Sequence, residues 1–150
     1  MGYLVFNNFS GRMRVRRASG FTLIELVIVI VIIGVLAAIA IPMFIHMQNN
    51  AREARVKNYA HTVQLAAEVY AVSNFGTYSD MEADILPLLP KAGPLENSFT
   101  GALVEPQFGA PALTAGQIGL QVVIEDGVNV GYRITGFGKD NLILVLTSGQ

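Results

Sequence analysis

The sequence predicts an α+β fold in which one long N-terminal helix packs on a small C-terminal antiparallel sheet of about three strands. Two observations lead to this prediction. Residues 21–45 form a largely apolar run with a single charged side chain, and residues 118–134 show the alternating pattern of strands. The chain has 150 residues, of which 52% are hydrophobic and 14% are charged. One compact domain can therefore form, with apolar side chains in excess.

The apolar run at residues 21–45 is predicted to be a membrane-spanning helix. At about 1.5 Å per residue it would reach roughly 37 Å, which exceeds a hydrocarbon core of about 30 Å and allows some tilt. Several basic residues and no acidic residue precede the run. Such an excess of positive charge marks the cytoplasmic side of a membrane. The residues are Arg12, Arg14, Arg16 and Arg17.

Glu25 is the one charge inside the apolar run, and it needs a partner because a carboxylate in a bilayer is unfavourable. No lysine or arginine lies within residues 21–45. A new N-terminal amine, made by cleavage between Gly20 and Phe21, would be the only cation at that depth. Glu25 can alternatively extend towards the lipid headgroups. An ordinary signal peptide fits poorly because the apolar core is too long, whereas an uncleaved membrane anchor fits the length but leaves Glu25 without a purpose.

Residues 16–25, RRASG followed by FTLIE, resemble the prepilin peptidase site of bacterial type IV pilins and type II secretion pseudopilins. The resemblance implies that residues 1–20 are a leader peptide, removed between Gly20 and Phe21. It also implies N-methylation of Phe21. Phe21, Thr22 and Glu25 would then serve in assembly, with Glu25 neutralising the terminal amine of Phe21 on a neighbouring subunit.

Gly34 and Pro42 are predicted to break the long helix. A proline inside a helix removes one hydrogen bond, and a glycine costs about 1 kcal/mol relative to alanine. The resemblance implies that the stretch between two such residues can lose helical order within a filament. A simple bend with one close-packing position is the alternative.

Residues 46–75 are predicted to continue the helix as an amphipathic half. Apolar residues recur at spacings of about three to five, which indicates one covered face. The helix is expected to end near Ser73, where Asn74 to Gly76 tolerate a left-handed stop. The face predicted to be covered contains Phe44, Met47, Ala51, Ala54, Tyr59, Val63, Ala66 and Tyr70.

Residues 76–117 are predicted to form an irregular connecting loop, since they hold all but one of the chain's prolines. One short helix is expected from Met81 to Leu89, with Ser79 or Asp80 as its N-cap.

Residues 118–150 are predicted to form an antiparallel β-meander. Asp126 and Gly127 form a strong hairpin signal between two alternating runs. The final run, residues 142–146, is uniformly apolar, and we expect it to be a strand covered on both faces.

The sequence offers no recognisable catalytic set, so the chain is predicted not to be an enzyme and to need no cofactor. It has no cysteine, and its two histidines are far apart on the predicted helix. No metal site is predicted, because Asp126, Asp140 and Asn141 lack the spacing of a calcium loop. Residues 21–150 hold six basic and eleven acidic side chains, a net charge of −5, which argues against specific nucleic-acid binding.

The resemblance implies a structural subunit of a type IV pilus. The subunit would cross the inner membrane once, be cut by prepilin peptidase, and be polymerised by an inner-membrane assembly platform and its ATPase. The product would be a helical homo-oligomeric filament on the cell surface. One alternative is a pseudopilin of a type II secretion system, which acts in a periplasmic pseudopilus. An alternative of another class is a membrane-anchored periplasmic binding module.

Overall fold

The structure of the protein is a computed structural model that describes residues 20–148. The arginines predicted to flank the membrane, Arg12, Arg14, Arg16 and Arg17, lie outside the described residues. The described part contains a long helix, a short helix, two 3-10 turns and six strands. Their bounds are α1 Leu23–Ser73, α2 Glu82–Ile85, the 3-10 turns Leu86–Leu88 and Pro90–Ala92, β1 Leu95–Glu96, β2 Leu103–Glu105, β3 Gln107–Phe108, β4 Ile118–Glu125, β5 Val128–Phe137 and β6 Leu142–Thr147.

Helix α1 runs for 51 residues and includes Pro42 in its interior. The break predicted at Gly34 and Pro42 is absent from the single chain, because helical backbone continues through both residues. Proline leaves only the carbonyl of Ala38 without its usual intrahelical donor. The turns on either side keep their own hydrogen bonds and so preserve the helix. The loss of helical order implied for a filament stays a prediction.

The N-terminal part of α1 has no buried side chain between residues 21 and 45. Its large apolar residues are 40–82% exposed, from Val27 at the low end to Phe21 at the high end. Within the described residues, one helix, α1, is long and apolar enough to cross a membrane by length and composition. Its most apolar window has a mean hydropathy of 3.2.

The main sheet has the strand order β3-β4-β5-β6. Strands β4, β5 and β6 form an antiparallel meander, and the two residues of β3 pair in parallel with β4. The turn between β4 and β5 is the predicted pair Asp126 and Gly127, whose φ angles are 50° and 79°. Two positive φ values are typical of a type I′ hairpin turn. The α+β fold with a small C-terminal sheet is confirmed.

Residues 76–117 hold more regular structure than an irregular loop. Strands β1 and β2 pair antiparallel in a separate small sheet. Helix α2 is shorter than the stretch expected from Met81 to Leu89, because prolines turn its continuation into 3-10 turns. The N-cap of α2 is Met81, with no side-chain cap hydrogen bond, so the prediction of Ser79 or Asp80 as the N-cap is wrong. Ser79 Oγ accepts the N–H of Met81 at 3.1 Å.

A buried polar contact joins the two-stranded sheet to β4. Glu105 is 1% exposed; its Oε1 accepts Asn97 Nδ2 at 3.0 Å and its Oε2 accepts the N–H of Ile118 at 3.0 Å. Asn97 Oδ1 accepts the N–H groups of Phe99 and Thr100 at 2.9 and 3.0 Å. These bonds satisfy buried polar atoms and hold the segment before β4 in place.

The core lies between the later part of α1 and the sheet. The helix contributes small residues at spacings of three and four, a stripe that allows the sheet to approach closely. Part of the predicted covered face is wrong, since Phe44 and Met47 are 64% and 60% exposed and Ala51 and Ala54 are also exposed. The buried core residues are Val56, Ala60, Val63, Ala66, Ala67, Ile85, Leu89, Leu95, Ile118, Leu120, Tyr132 and Ile134.

Strand β6 was expected to be covered on both faces, and this expectation is wrong for the single chain. It is an edge strand in the sheet order. Leu142 and Val145 are 45% and 46% exposed. Ile143, Leu144 and Leu146 are partly buried and pack against the core, so β6 is covered only in part.

Candidate assembly site

The first turn of α1 is closed by a reciprocal pair of side chains, Thr22 and Glu25. Glu25 Oε2 accepts the backbone N–H of Thr22 at 2.8 Å and the hydroxyl of Thr22 at 2.7 Å. In return, Thr22 Oγ1 accepts the N–H of Glu25 at 3.3 Å. This arrangement is a capping box, which satisfies two backbone donors that the start of a helix leaves free. Glu25 is therefore held in a defined position before any partner arrives.

The capping box was not predicted, although the sequence contains its signal. Thr22 and Glu25 have the T-x-x-E spacing directly before an apolar run. The charge of Glu25 alone predicts a cation or the lipid headgroups as its partner. The structure adds that its carboxylate already binds within its own chain.

The backbone before the capping box is exposed. Phe21 is 82% exposed, and a Cβ built on Gly20 would meet no atom within 4 Å. The described fold therefore gives no internal reason for a glycine at position 20. An amine placed on Phe21 would lie one residue from the N–H that Glu25 already accepts.

Gly34 and Pro42, the predicted helix-breaking residues, lie further along α1 and are separate from the first turn. A Cβ on Gly34 would likewise meet nothing within 4 Å outside its own helix backbone. A glycine there is not required by the packing of the single chain.

Other polar residues serve the fold of the C-terminal part. Tyr132 OH donates to Glu68 Oε1 at 2.8 Å and accepts from Gln64 Nε2 at 3.0 Å, and Tyr78 OH donates to Glu68 Oε2 at 3.3 Å. The rings of Tyr78 and Tyr132 meet edge to face, 5.1 Å apart. Burial raises the pKa of Tyr132 to about 12. These contacts fasten β5 to α1.

The remaining titratable residues form no catalytic or metal centre that the described part of the chain reveals. His61 Nδ1 lies 3.1 Å from Gln64 Oε1, and His46 is exposed. Asp140 lies 4.0 Å from Lys139, and Asp126 is in the β4–β5 turn. Within residues 20–148 no three His, Cys, Asp or Glu side chains lie close enough to hold a metal ion.

The N-terminal part of α1 is apolar and exposed on all sides, and the Thr22–Glu25 capping box closes its first turn. Comparison with known proteins explains this combination. The family model described as the prokaryotic N-terminal methylation motif matches residues 15–41. The chain carries a prepilin-type methylation motif. Gly20, Phe21, Thr22 and Glu25 all lie within the matched range.

Curated relatives are similar to part of the chain. The type IV narrow pilus major component of Thermus thermophilus is 50% identical over 60 residues, or 40% of this chain and 52% of the relative. The type IV wide pilus major component of the same organism is 36% identical over 85 residues, or 57% and 64%. The type II secretion system core protein G of Pseudomonas aeruginosa is 36% identical over 63 residues, or 42% and 44%.

The resemblance to type IV pilins and secretion pseudopilins is thus confirmed. In each of these comparisons the chain spans less than two thirds of the relative's own length. No solved structure matches the chain.

Proposed function

We propose that this protein is a structural subunit of a type IV pilus that polymerises through its N-terminal helix. The observation that carries the proposal is the apolar part of α1, which has no buried residue from position 21 to 45 and begins within the matched motif. A helix that is apolar on every side needs apolar neighbours. Lipid provides them before assembly, and packed copies of the same helix provide them afterwards.

Cleavage is the step that makes the subunit competent. Residues 1–20 would be a leader held on the cytoplasmic side by Arg12, Arg14, Arg16 and Arg17. Prepilin peptidase would cut between Gly20 and Phe21, and the new amine of Phe21 would be N-methylated. The amine would supply a positive charge beside Glu25, whose carboxylate the capping box already holds.

Residues 21–45 would then act as membrane segment and filament core, residues 46–75 as the helical support, and residues 76–117 and 118–150 as the exposed domain. An inner-membrane assembly platform and its ATPase would drive polymerisation, and the finished filament would extend from the cell surface. The chain would contribute structure and no catalysis.

The proposal is tested by isolating sheared surface filaments, imaging them by electron microscopy, and determining the N-terminus of the subunit by mass spectrometry. We expect filaments composed of this chain, starting at an N-methylated Phe21. A mature protein that retains Met1 would overturn the proposal and would favour a membrane-anchored periplasmic binding module.

A pseudopilin of a type II secretion system is the second candidate, favoured by the similarity to core protein G. Such a subunit would use the same helix in a short periplasmic pseudopilus. Deleting the gene separates the two roles. Loss of secreted proteins with unchanged surface filaments would support the pseudopilin, and loss of surface filaments with normal secretion would support the pilin.

A further inference from the structure

The contacts between β5 and α1 define two opposite ends of the C-terminal part of the chain, measured along the axis of α1. The N–H of Lys139 donates to Glu53 Oε1 at 3.2 Å, and Tyr132, seven residues earlier in the chain, donates to Glu68. Strand β5 therefore runs antiparallel to α1. The β4–β5 turn at Asp126 consequently lies near the end of α1, on the order of 30 Å from its residues 48–55 at 1.5 Å per residue.

The end that carries the β4–β5 turn is acidic. Glu125 and Asp126 occupy its tip, and both are exposed. Asn129 Nδ2 donates to the carbonyl of Tyr78 at 3.0 Å, so the hairpin is anchored to the segment that follows α1. Neither acidic side chain forms an ion pair with a residue in the described part of the chain.

The opposite end holds a basic cavity of about 490 Å³. Arg52 lines it, with its guanidinium 5.6 Å from the ring centre of Phe99, and forms no ion pair among residues 20–148. Arg55 also lines it and lies 3.8 Å from Glu96. Ser98 also lines it, although its hydroxyl oxygen is buried.

We propose that the acidic β4–β5 turn of one copy seats on the Arg52 cavity of the next copy in the filament. This inference rests on the proposed function, since it requires that the chain polymerises. The turn offers carboxylate acceptors, and the cavity offers the Arg52 guanidinium. Because the two surfaces lie at opposite ends of the C-terminal part of each copy, the contact between copies is head-to-tail. A head-to-tail contact that does not close a ring repeats to form a helical filament.

A charge exchange in the full-length chain tests the contact. Arg52→Glu and Glu125→Arg should each lower the yield of sheared filaments by about tenfold, because like charges would face each other across the interface. The double variant restores the opposite charges and should recover most of the yield. Lys57→Glu is the matched control, since it makes the same charge change on an exposed residue of α1 outside the cavity, and it should assemble normally.

Cysteine cross-linking measures the contact without relying on charge. The chain has no cysteine of its own, so Thr100→Cys at the cavity and Glu125→Cys at the turn introduce the only thiols. The two positions lie at opposite ends of the C-terminal part of a single copy, so the thiols can form a disulfide only between copies. Oxidised filaments of the double variant should give a ladder of multimers, whereas each single variant should not.

The outcomes separate this inference from the proposed function. If the wild-type chain forms no filament, the proposed function fails. If wild-type filaments form, any of three results overturns the inference alone. The single charge variants assemble normally, the double variant fails to recover the filament yield, or no ladder of cross-linked multimers appears. A stronger preference of the wild type than of Arg52→Glu for anionic over neutral phospholipid vesicles, together with normal assembly of that variant, would assign the cavity to a membrane surface instead.

Discussion

At the scale of single residues, Glu25 has two separable tasks. Its carboxylate caps α1 through Thr22, and in the proposed filament its charge meets the amine of Phe21. An amide can perform the first task, because glutamine also serves in capping boxes. It cannot perform the second, since it carries no charge.

Glu25→Gln therefore distinguishes the two tasks. We expect the variant to insert in the membrane and keep its helix, yet to yield about tenfold less filament than wild type, because the buried amine would lack its counter-charge. Glu25→Ala should lose at least as much, and Thr22→Ser, which keeps the capping hydroxyl, should assemble normally. Filament yield by shearing and the amount of membrane-bound subunit check the prediction. Normal filaments from Glu25→Gln would remove the electrostatic role.

Tyr132 gives the folded domain a pH-dependent stability. Burial raises the pKa of its hydroxyl to about 12, compared with about 10 for an unfolded chain. Between these values the unfolded chain has lost a proton that the folded chain keeps, so the free energy of unfolding should fall as pH rises from about 10 towards 12. Below pH of about 10 the contribution is complete. Tyr78 adds in the same direction, since burial raises its pKa as well.

Tyr132→Phe tests this linkage. The variant should be less stable at neutral pH, because Glu68 and Gln64 lose a partner, but its stability should fall less steeply above about pH 10. Tyr59→Phe, at a partly buried tyrosine outside this hydrogen-bonded cluster, is the control. Urea unfolding in detergent at a series of pH values gives the measurement. Parallel curves for wild type and Tyr132→Phe would contradict it.

At the scale of elements, the sequence predicts turns and helix ends most accurately, because their signal is local. The Asp126-Gly127 turn and the end of α1 near Ser73 depend on the backbone preferences of a few residues, and both are found. Strands β1 and β3 have two residues each, too few to show a periodicity. Their existence depends on pairing with distant segments, which no local pattern contains.

The helix face that meets the sheet shows a second limit of local reasoning. Alanine and valine occur on several sides of α1. Spacing alone therefore predicts that Ala51 and Ala54 are buried, although Val56 and Ala60 are the residues that pack in the core. The sheet selects the face, because only residues opposite β4 and β5 become buried. At the assembly site, the cleavage point and Glu25 could be predicted from the motif, whereas the Arg52 cavity could not, since it joins α1 to the β1–β2 region across about fifty residues of sequence.

Gly119 shows how closely the elements approach. A Cβ at this position would lie within 2.5 Å of backbone atoms of Pro111 and Ala112. Gly119→Ala must therefore displace the chain beside β4, and we expect a destabilisation of about 1–3 kcal/mol. Gly93→Ala, whose Cβ would meet only the Lys91 carbonyl at 3.8 Å, should change stability little. Thermal unfolding followed by near-ultraviolet circular dichroism compares them, and equal melting temperatures would contradict the prediction.

At the scale of the whole molecule, the buried core and the apolar helical segment are different parts of the chain. Every residue of the buried core lies between Val56 and Ile134. Residues 21–45 bury no side chain in the single chain. In the proposed function the apolar segment therefore serves the membrane and the filament, while the exposed domain holds together through its own contacts.

A chain that starts at His46 tests this division of roles. We expect it to be soluble and monomeric and to keep the near-ultraviolet signal of Tyr78 and Tyr132, because their contacts lie outside the deleted segment. It should form no filament, since it lacks the helix that would become the filament core. Size-exclusion chromatography with light scattering and circular dichroism provide the measurements, with the detergent-solubilised full chain as control. If the truncated chain unfolds, residues 21–45 support the fold of the domain. If it forms filaments without residues 21–45, the assembly contacts lie entirely in the exposed domain.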